Sequence, residues 1–321
     1  MIPPTFTDIL RAKQTIARYL PRTPLVNYLA LDKICGTRVL VKHENQQATG
    51  AFKVRGGINL VSQLSAEERD RGIITASTGN HGQSVAYAAG LFRVRATVVA
   101  PEKSNPLKVA AIRDLGAEVL LHGADFDAAR EHCALLARRD NLRYIHSANE
   151  PLLLAGVATI ALEILEDAPE VTTIIVPVGG GSGAAAACLV AKTLNPRIKV
   201  IGVQAERAPA AYESWRAREL LEDKMETAAE GLATRVAFEL TQRILWDHLA
   251  DFVLVSDDEM LRAIRLYVEK AHTLAESAGA ASLAAALKLR ERLAGQTVAL
   301  VLSGGNITVE QLSTALAPPN R

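Results

Sequence analysis

The sequence holds only three cysteines, Cys35, Cys133 and Cys188, and they are far apart. They are too few for a disulfide framework and wrongly spaced for a zinc site, and they point to a reducing compartment. Charge of one sign is also lacking: 36 Lys and Arg stand against 35 Asp and Glu, a net charge of +1. That balance argues against a general binder of nucleic acid or of anionic membranes, which carries a basic surplus. No run of about 18 apolar residues is present, so no segment reads as a transmembrane helix. The opening MIPPTFTDILRAKQTIARYL mixes charge with apolar residues at helical spacing and contains no signal-peptide core. A cytoplasmic location is therefore expected. Internal repeats and low-complexity segments are absent too.

What the chain does have is length and apolar content. Its 321 residues are 49% apolar and 22% charged, which excludes global disorder. At ~150 residues per domain this makes about two domains or one large α/β unit. Short β-branched runs at 39–42, 73–76, 96–99, 118–121, 173–176, 199–203, 252–255 and 298–302 read as strands. Helical patterns at 53–65, 82–92, 106–115, 125–138, 150–166, 183–194, 257–273 and 277–293 lie between most of them. Such alternation predicts parallel sheets covered by helices on both faces. The stretch 204–250 reads as helices and loops, and the last five residues as a frayed tail. No domain is expected after the last strand.

Open α/β sheets bind ligands at the carboxyl ends of their strands, so the turns there carry most information. After Ala76 the chain reads Ser77-Thr78-Gly79-Asn80-His81-Gly82. Amides at such a helix start suit a carboxylate, although the same residues also make an ordinary cap and turn. After Val178 comes Gly179-Gly180-Gly181-Ser182-Gly183. Four glycines in five exceed what a tight turn needs, and a phosphate is the natural guest. The pattern is neither GxGxxG nor a Walker loop, which argues against dinucleotides and nucleoside triphosphates. After Leu302 comes Ser303-Gly304-Gly305-Asn306, where one hydroxyl can meet a flat ligand. Finally, Lys53 stands in Gly50-Ala51-Phe52-Lys53-Val54-Arg55-Gly56 at a helix start. Burial and the helix dipole would lower its pKa and favour a nucleophilic amine, although a lone Lys is usually a surface residue.

Taken together and in this order, the four motifs resemble the fold-type II pyridoxal-phosphate enzymes. Within these the similarity is to the serine/threonine dehydratase (threonine ammonia-lyase) and serine racemase family, and it covers nearly the whole chain. The resemblance implies a tryptophan synthase β-like α/β fold of two doubly wound domains with largely parallel sheets. A small mobile domain would span 44–144, and 1–43 with 145–321 would form the larger domain. Lys53 would bind pyridoxal 5'-phosphate as a Schiff base and move the substrate α-proton. Phe52 would pack beside the cofactor, and Asn80 would bond its phenolic oxygen. Gly179, Gly180, Gly181, Ser182 and Gly183 would hold its phosphate, and Ser303 would face the pyridine nitrogen. Gly231 and Glu276 would lie near the ring. Ser77, Thr78, Gly79, Asn80 and His81 would grip the substrate carboxylate.

A hydroxyl partner leaves the pyridine a weaker electron sink than a carboxylate partner would, which favours loss of a β-substituent. The implied reaction is dehydration and deamination of a 3-hydroxy amino acid such as L-threonine or L-serine to a 2-oxo acid and ammonia. Three departures stand out. Thr78 replaces the racemase Ser that acts as second acid/base; its secondary hydroxyl could still act there, so Thr78 stays a candidate catalytic residue while racemisation is disfavoured. Gln204, Ala208 and Ala210 lack the carboxylates of the racemase divalent-cation site, so no metal is expected. Ala148 replaces an Asn near the substrate and leaves room for a bulkier substituent. Phenylserine, 3-hydroxyaspartate or a hydroxyectoine-derived compound therefore stay open as substrates, with His146 and Thr234 as candidate pocket residues. Racemase, nicotinamide-dependent oxidoreductase and non-catalytic binding protein are the alternatives. A homodimer or homotetramer is expected.

Overall fold

The computed structural model describes residues 1–77 and 79–317; Thr78 and all of the expected tail but Ala317, residues 318–321, lie outside the described residues. Among the described residues ten strands are formed: β1 (Leu25–Asn27), β2 (Arg38–His43), β3 (Ile73–Ala76), β4 (Ala96–Ala100), β5 (Glu118–Leu121), β6 (Arg143–Tyr144), β7 (Thr173–Pro177), β8 (Lys199–Ala205), β9 (Asp251–Val255) and β10 (Thr297–Leu302). The first seven α-helices are α1 (Phe6–Ile16), α2 (Leu29–Cys35), α3 (Lys53–Ser62), α4 (Ala66–Arg71), α5 (Asn80–Phe92), α6 (Pro106–Asp114) and α7 (Phe126–Arg139). The others are α8 (Pro151–Asp167), α9 (Ser182–Leu194), α10 (Ala210–Ala217), α11 (Glu239–His248), α12 (Asp257–Ala271), α13 (Ser277–Lys288) and α14 (Val309–Leu316). Helix starts follow local chemistry. Thr5/Asp8, Ser65/Glu68, Ser256/Glu259 and Thr308/Gln311 form reciprocal capping boxes. Asn105 caps α6 ahead of Pro106.

The chain divides into two compact units. The first comprises Met1–Leu20 and Lys53–Val157; the second comprises Pro21–Phe52 and the chain from Ala158 onward. In the first unit, four strands form an all-parallel sheet in the order β5-β4-β3-β6. Its core includes Ile58, Ile73, Val85, Val98 and Ile112. In the second, six strands run β1-β2-β10-β7-β8-β9, and only β1 is antiparallel to its neighbour. The runs TIIVP and TVALVL are nearly wholly buried, as strands covered on both faces must be. α13 buries Ala278 through Ala286 without a break, because small side chains let a helix sit among neighbours on every side. β7 and β10 are parallel neighbours, so the loops after them emerge at the same end of the sheet.

The second unit also contains a buried ion pair. Lys42 Nζ lies 2.6 Å from Glu163 Oε2 and donates to the Thr23 carbonyl at 2.7 Å. Glu163→Gln leaves the buried ammonium without its carboxylate. It is expected to cost about 3–5 kcal/mol in a denaturant titration, against at most ~1 kcal/mol for the exposed pair Arg243–Glu239.

Candidate active site

In the second unit, three loops converge. Residues 49–52 run antiparallel to 303–306: Phe52 N–H donates to Ser303 O at 3.0 Å and Gly305 N–H to Gly50 O at 2.9 Å. Asn306 Nδ2 adds a bond to Thr49 O at 2.9 Å. Ser303 is thereby held, mostly buried, at the end of β10. Phe52 is turned toward the loop after β7, where a methyl group placed on Gly183 would meet its ring at 3.9 Å. In that loop Gly179 passes so close to the Gly231 carbonyl that any side chain would overlap it. Gly181 takes φ +85°, a left-handed conformation, as the residue before α9. The first amides of α9 have no acceptor inside the helix, and Gly179, Gly180 and Gly183 stay partly open to solvent. Glu276 caps α13 from beside the loop after β10, its N–H donating to Gly304 O at 3.1 Å. The second unit thus brings together Phe52, Gly179 to Gly183, Gly231, Glu276 and Ser303.

In the first unit, Lys53 opens α3. Its carbonyl accepts from Ser84 Oγ on α5 at 2.6 Å, and its Nζ donates to Ser147 O at 3.4 Å. Burial lowers its ammonium from 10.5 to about 8, so roughly a tenth is neutral amine at pH 7. Beside it, the loop after β3 is tied by Ser77, whose Oγ accepts from Gly79 N at 3.1 Å and Gly82 N at 2.9 Å. Asn80 starts α5. His81 Nε2 lies 2.9 Å from Thr75 Oγ1, which donates to Ile145 O, so Nε2 is the donor of that ring. Its Nδ1 is buried and makes no hydrogen bond.

Two neutral histidines follow from this packing. Burial first, then the Lys53 and His146 charges, push His81 down to about 3. Burial, then Arg130 and Lys53, push His146 down to about 4. In the unfolded chain both titrate near 6.5. Between those values the unfolded state binds more protons, so stability is full above about pH 6.5 and falls on acidification, down to about pH 4 for His146 and about pH 3 for His81. Thermal melts across this window should lose about 1 kcal/mol per pH unit for each ring, with proton uptake on unfolding measured by calorimetry in two buffers.

Several contributors carry no mark in the sequence. Thr241 Oγ1 on α11 donates to the Gly180 carbonyl at 2.8 Å and so braces the glycine loop from 61 residues away. Thr49 and Asn306 fix the Phe52 strap. Thr234 Oγ1 is buried without a hydrogen-bond partner. Gln204 Oε1 accepts the Tyr212 amide at 3.0 Å, and Ala208 and Ala210 are fully buried. Among the described residues, no group of three or more His, Cys, Asp or Glu is placed to hold a metal. The three cysteines are buried thiols; burial raises Cys35 to about 11.

Known proteins share this fold. The sequence is 39% identical over 310 residues to an L-threonine ammonia-lyase of Thermotoga maritima, covering 96% of this chain and 77% of that one. A threonine deaminase from the organism abbreviated T.th. superposes with a TM-score of 0.90 at 37% identity, covering 95% and 99% of the two chains. Serine racemase from Dictyostelium discoideum gives a TM-score of 0.89 at 33% identity, with the same coverage. A family model described as pyridoxal-phosphate dependent enzyme matches residues 16–304, and with a match over that span the chain belongs to the fold-type II pyridoxal-phosphate dependent enzymes.

Proposed function

We propose that the chain dehydrates and deaminates L-threonine, and L-serine alongside it, to the 2-oxo acid and ammonia. The observation that carries this reading is 39% identity, across 96% of the chain, to an L-threonine ammonia-lyase. The residues present fit the cofactor. Gly179, Gly181 and Gly183 are packed too closely for side chains to be added freely, and their loop leads into a helix N-terminus suited to a phosphate. Lys53 offers an amine whose pKa of about 8 keeps it reactive. When bound, pyridoxal phosphate supplies the electron sink that makes an amino-acid α-proton removable.

The chain's own residues do the rest. Lys53 Nζ holds the cofactor and takes the α-proton. Amides of the glycine loop and Ser182 hold the phosphate, while Phe52 offers a flat apolar face. Ser303 would offer a hydroxyl to the pyridine nitrogen, and Asn80 would bond the phenolic oxygen. Gly231 and Glu276 border the ring. Ser77 spends its Oγ on the Gly79 and Gly82 amides and His81 spends Nε2 on Thr75. Their part in holding the substrate carboxylate is therefore to shape the turn, whose backbone amides bind it. Ala148 is fully buried and brings no polar side chain to its turn.

Among the described residues, no helix is long and apolar enough to cross a membrane. A cytoplasmic homodimer or homotetramer belongs to the same proposal, with light scattering of the purified protein as its check. The main experiment measures 2-oxo acid and ammonia release from L-threonine, L-serine, L-threo-phenylserine and L-threo-3-hydroxyaspartate side by side. Fast turnover of the first two is expected. Turnover of only the bulky or acidic substrates would move the specificity. Inversion of L-serine without ammonia release would replace elimination by racemisation.

A further inference from the structure

The turn between β6 and α8 is organised around one imidazole. His146 Nδ1 accepts the amides of both Ala148 and Asn149, each at 3.0 Å. A ring nitrogen accepts only when it carries no proton, so neutral His146 holds its hydrogen on Nε2. Closing the turn in this way points the carbonyl of the intervening Ser147 at Lys53, whose Nζ donates to it at 3.4 Å. The surroundings protect this state. Burial first, then Arg130 from α7 and Lys53 from α3, oppose a positive charge on the ring; neutral His81 of α5 lies nearby, and Tyr144 of β6 stands edge-on to the ring at 6.1 Å. A proton on Nδ1 would displace both amides and release the carbonyl.

We propose that His146 is a positioning residue for Lys53: by gathering the Ala148 and Asn149 amides it sets the Ser147 carbonyl that orients the lysine amine. This rests on the reading of Lys53 as the amine that binds the cofactor. A lysine side chain has four rotatable bonds, and one N–H fixed on a rigid carbonyl directs the remaining substituents of nitrogen, its lone pair included, to one side. The device adds no charge, so it orients the amine without stabilising the ammonium as a carboxylate partner would.

The test uses the cofactor-free full chain of the wild type, His146→Asn, His146→Leu and Lys53→Ala. Each is mixed with pyridoxal phosphate, and covalent capture is followed by visible absorbance and by borohydride trapping. Asn brings a carbonyl oxygen near the place of Nδ1 and can accept both amides, whereas Leu cannot. Leu is expected to slow capture about tenfold or more, and Asn to restore it to within about threefold of wild type. Wild-type capture by a folded His146→Leu protein would overturn the proposal. Should the Leu variant fail to fold, 15N shifts of the wild-type histidines decide the matter. A His146 with its hydrogen on Nε2, neutral down to about pH 4, is required, and a ring titrating near 6.5 overturns it. Wild-type capture by Lys53→Ala would remove the reading of Lys53 and this inference with it. Parity of His146→Leu alone would remove only this inference.

Discussion

Lys53→Ala is expected to lower ammonia release from L-threonine by roughly 10⁴-fold or more, with the fold intact. The structure separates those two outcomes. What Lys53 gives to packing comes from its backbone: its carbonyl accepts from Ser84, and α3 lies against α5 where Gly57 meets Ser84. Alanine keeps all of this and is a good helix former. What the side chain gives is chemical: an amine that burial holds at about 8. Lys53→Arg should fail as badly, because a guanidinium stays charged and cannot take the α-proton. Ammonia release, visible absorbance of the loaded protein and a thermal melt check all three points. Retention of more than about 1% of turnover in Lys53→Ala would sink the assignment, since general-base loss alone costs at least that much.

Gly179→Ala should weaken pyridoxal phosphate binding about 100-fold and cost about 1–3 kcal/mol of stability. The added methyl group would overlap the Gly231 carbonyl oxygen, and both partners are backbone. Gly231 cannot retreat, because on its other side it packs against Ala278 of α13. The loop must therefore shift at its first amide. Gly90→Ala is the control. Its methyl group would meet the Leu115 carbonyl at an ordinary 3.6 Å inside a helix, so a neutral or slightly stabilising effect is expected. Cofactor titration of the apoprotein, read by absorbance, measures the first effect, and denaturant unfolding measures the second. Equal affinities for the two variants would remove the glycine loop from the phosphate site.

Much of the architecture was legible because its signals are local. All eight β-branched runs became strands, since each is long enough to show its apolar pattern. β1 and β6 escaped notice because three and two residues cannot establish a period. α2 was equally silent: Tyr28 caps it without a side-chain hydrogen bond, so no Ser, Thr or Asp announces its start. The residues expected at the site divide along the same line. Gly179 to Gly183, Ser303 and Lys53 declare themselves because the chemistry asks for unusual residues in short runs. The supports do not, because their meaning lies in pairings distant along the chain. Thr241 reaches Gly180, and Asn306 reaches Thr49. His146 shows the limit most clearly. As a letter it fits a pocket, a core or a surface, and only its two amide bonds give it a task.

The place of β10 bears on how the protein is made. It is the last strand in chain order, yet it lies inside its sheet, between β2 and β7, with Thr297 paired to Arg38. While the ribosome is still working toward residue 297, β2 and β7 lack the neighbour they share and present bare edges. The sheet of the first unit is complete once Tyr144 has emerged. Synthesis therefore yields one early-folding unit and one that must wait for its centre, held open across the longest pairing in the molecule. A chain stopped before β10 would carry Lys53 but neither Ser303 nor a closed second sheet, so truncation should end in aggregation or degradation rather than in a weakened enzyme.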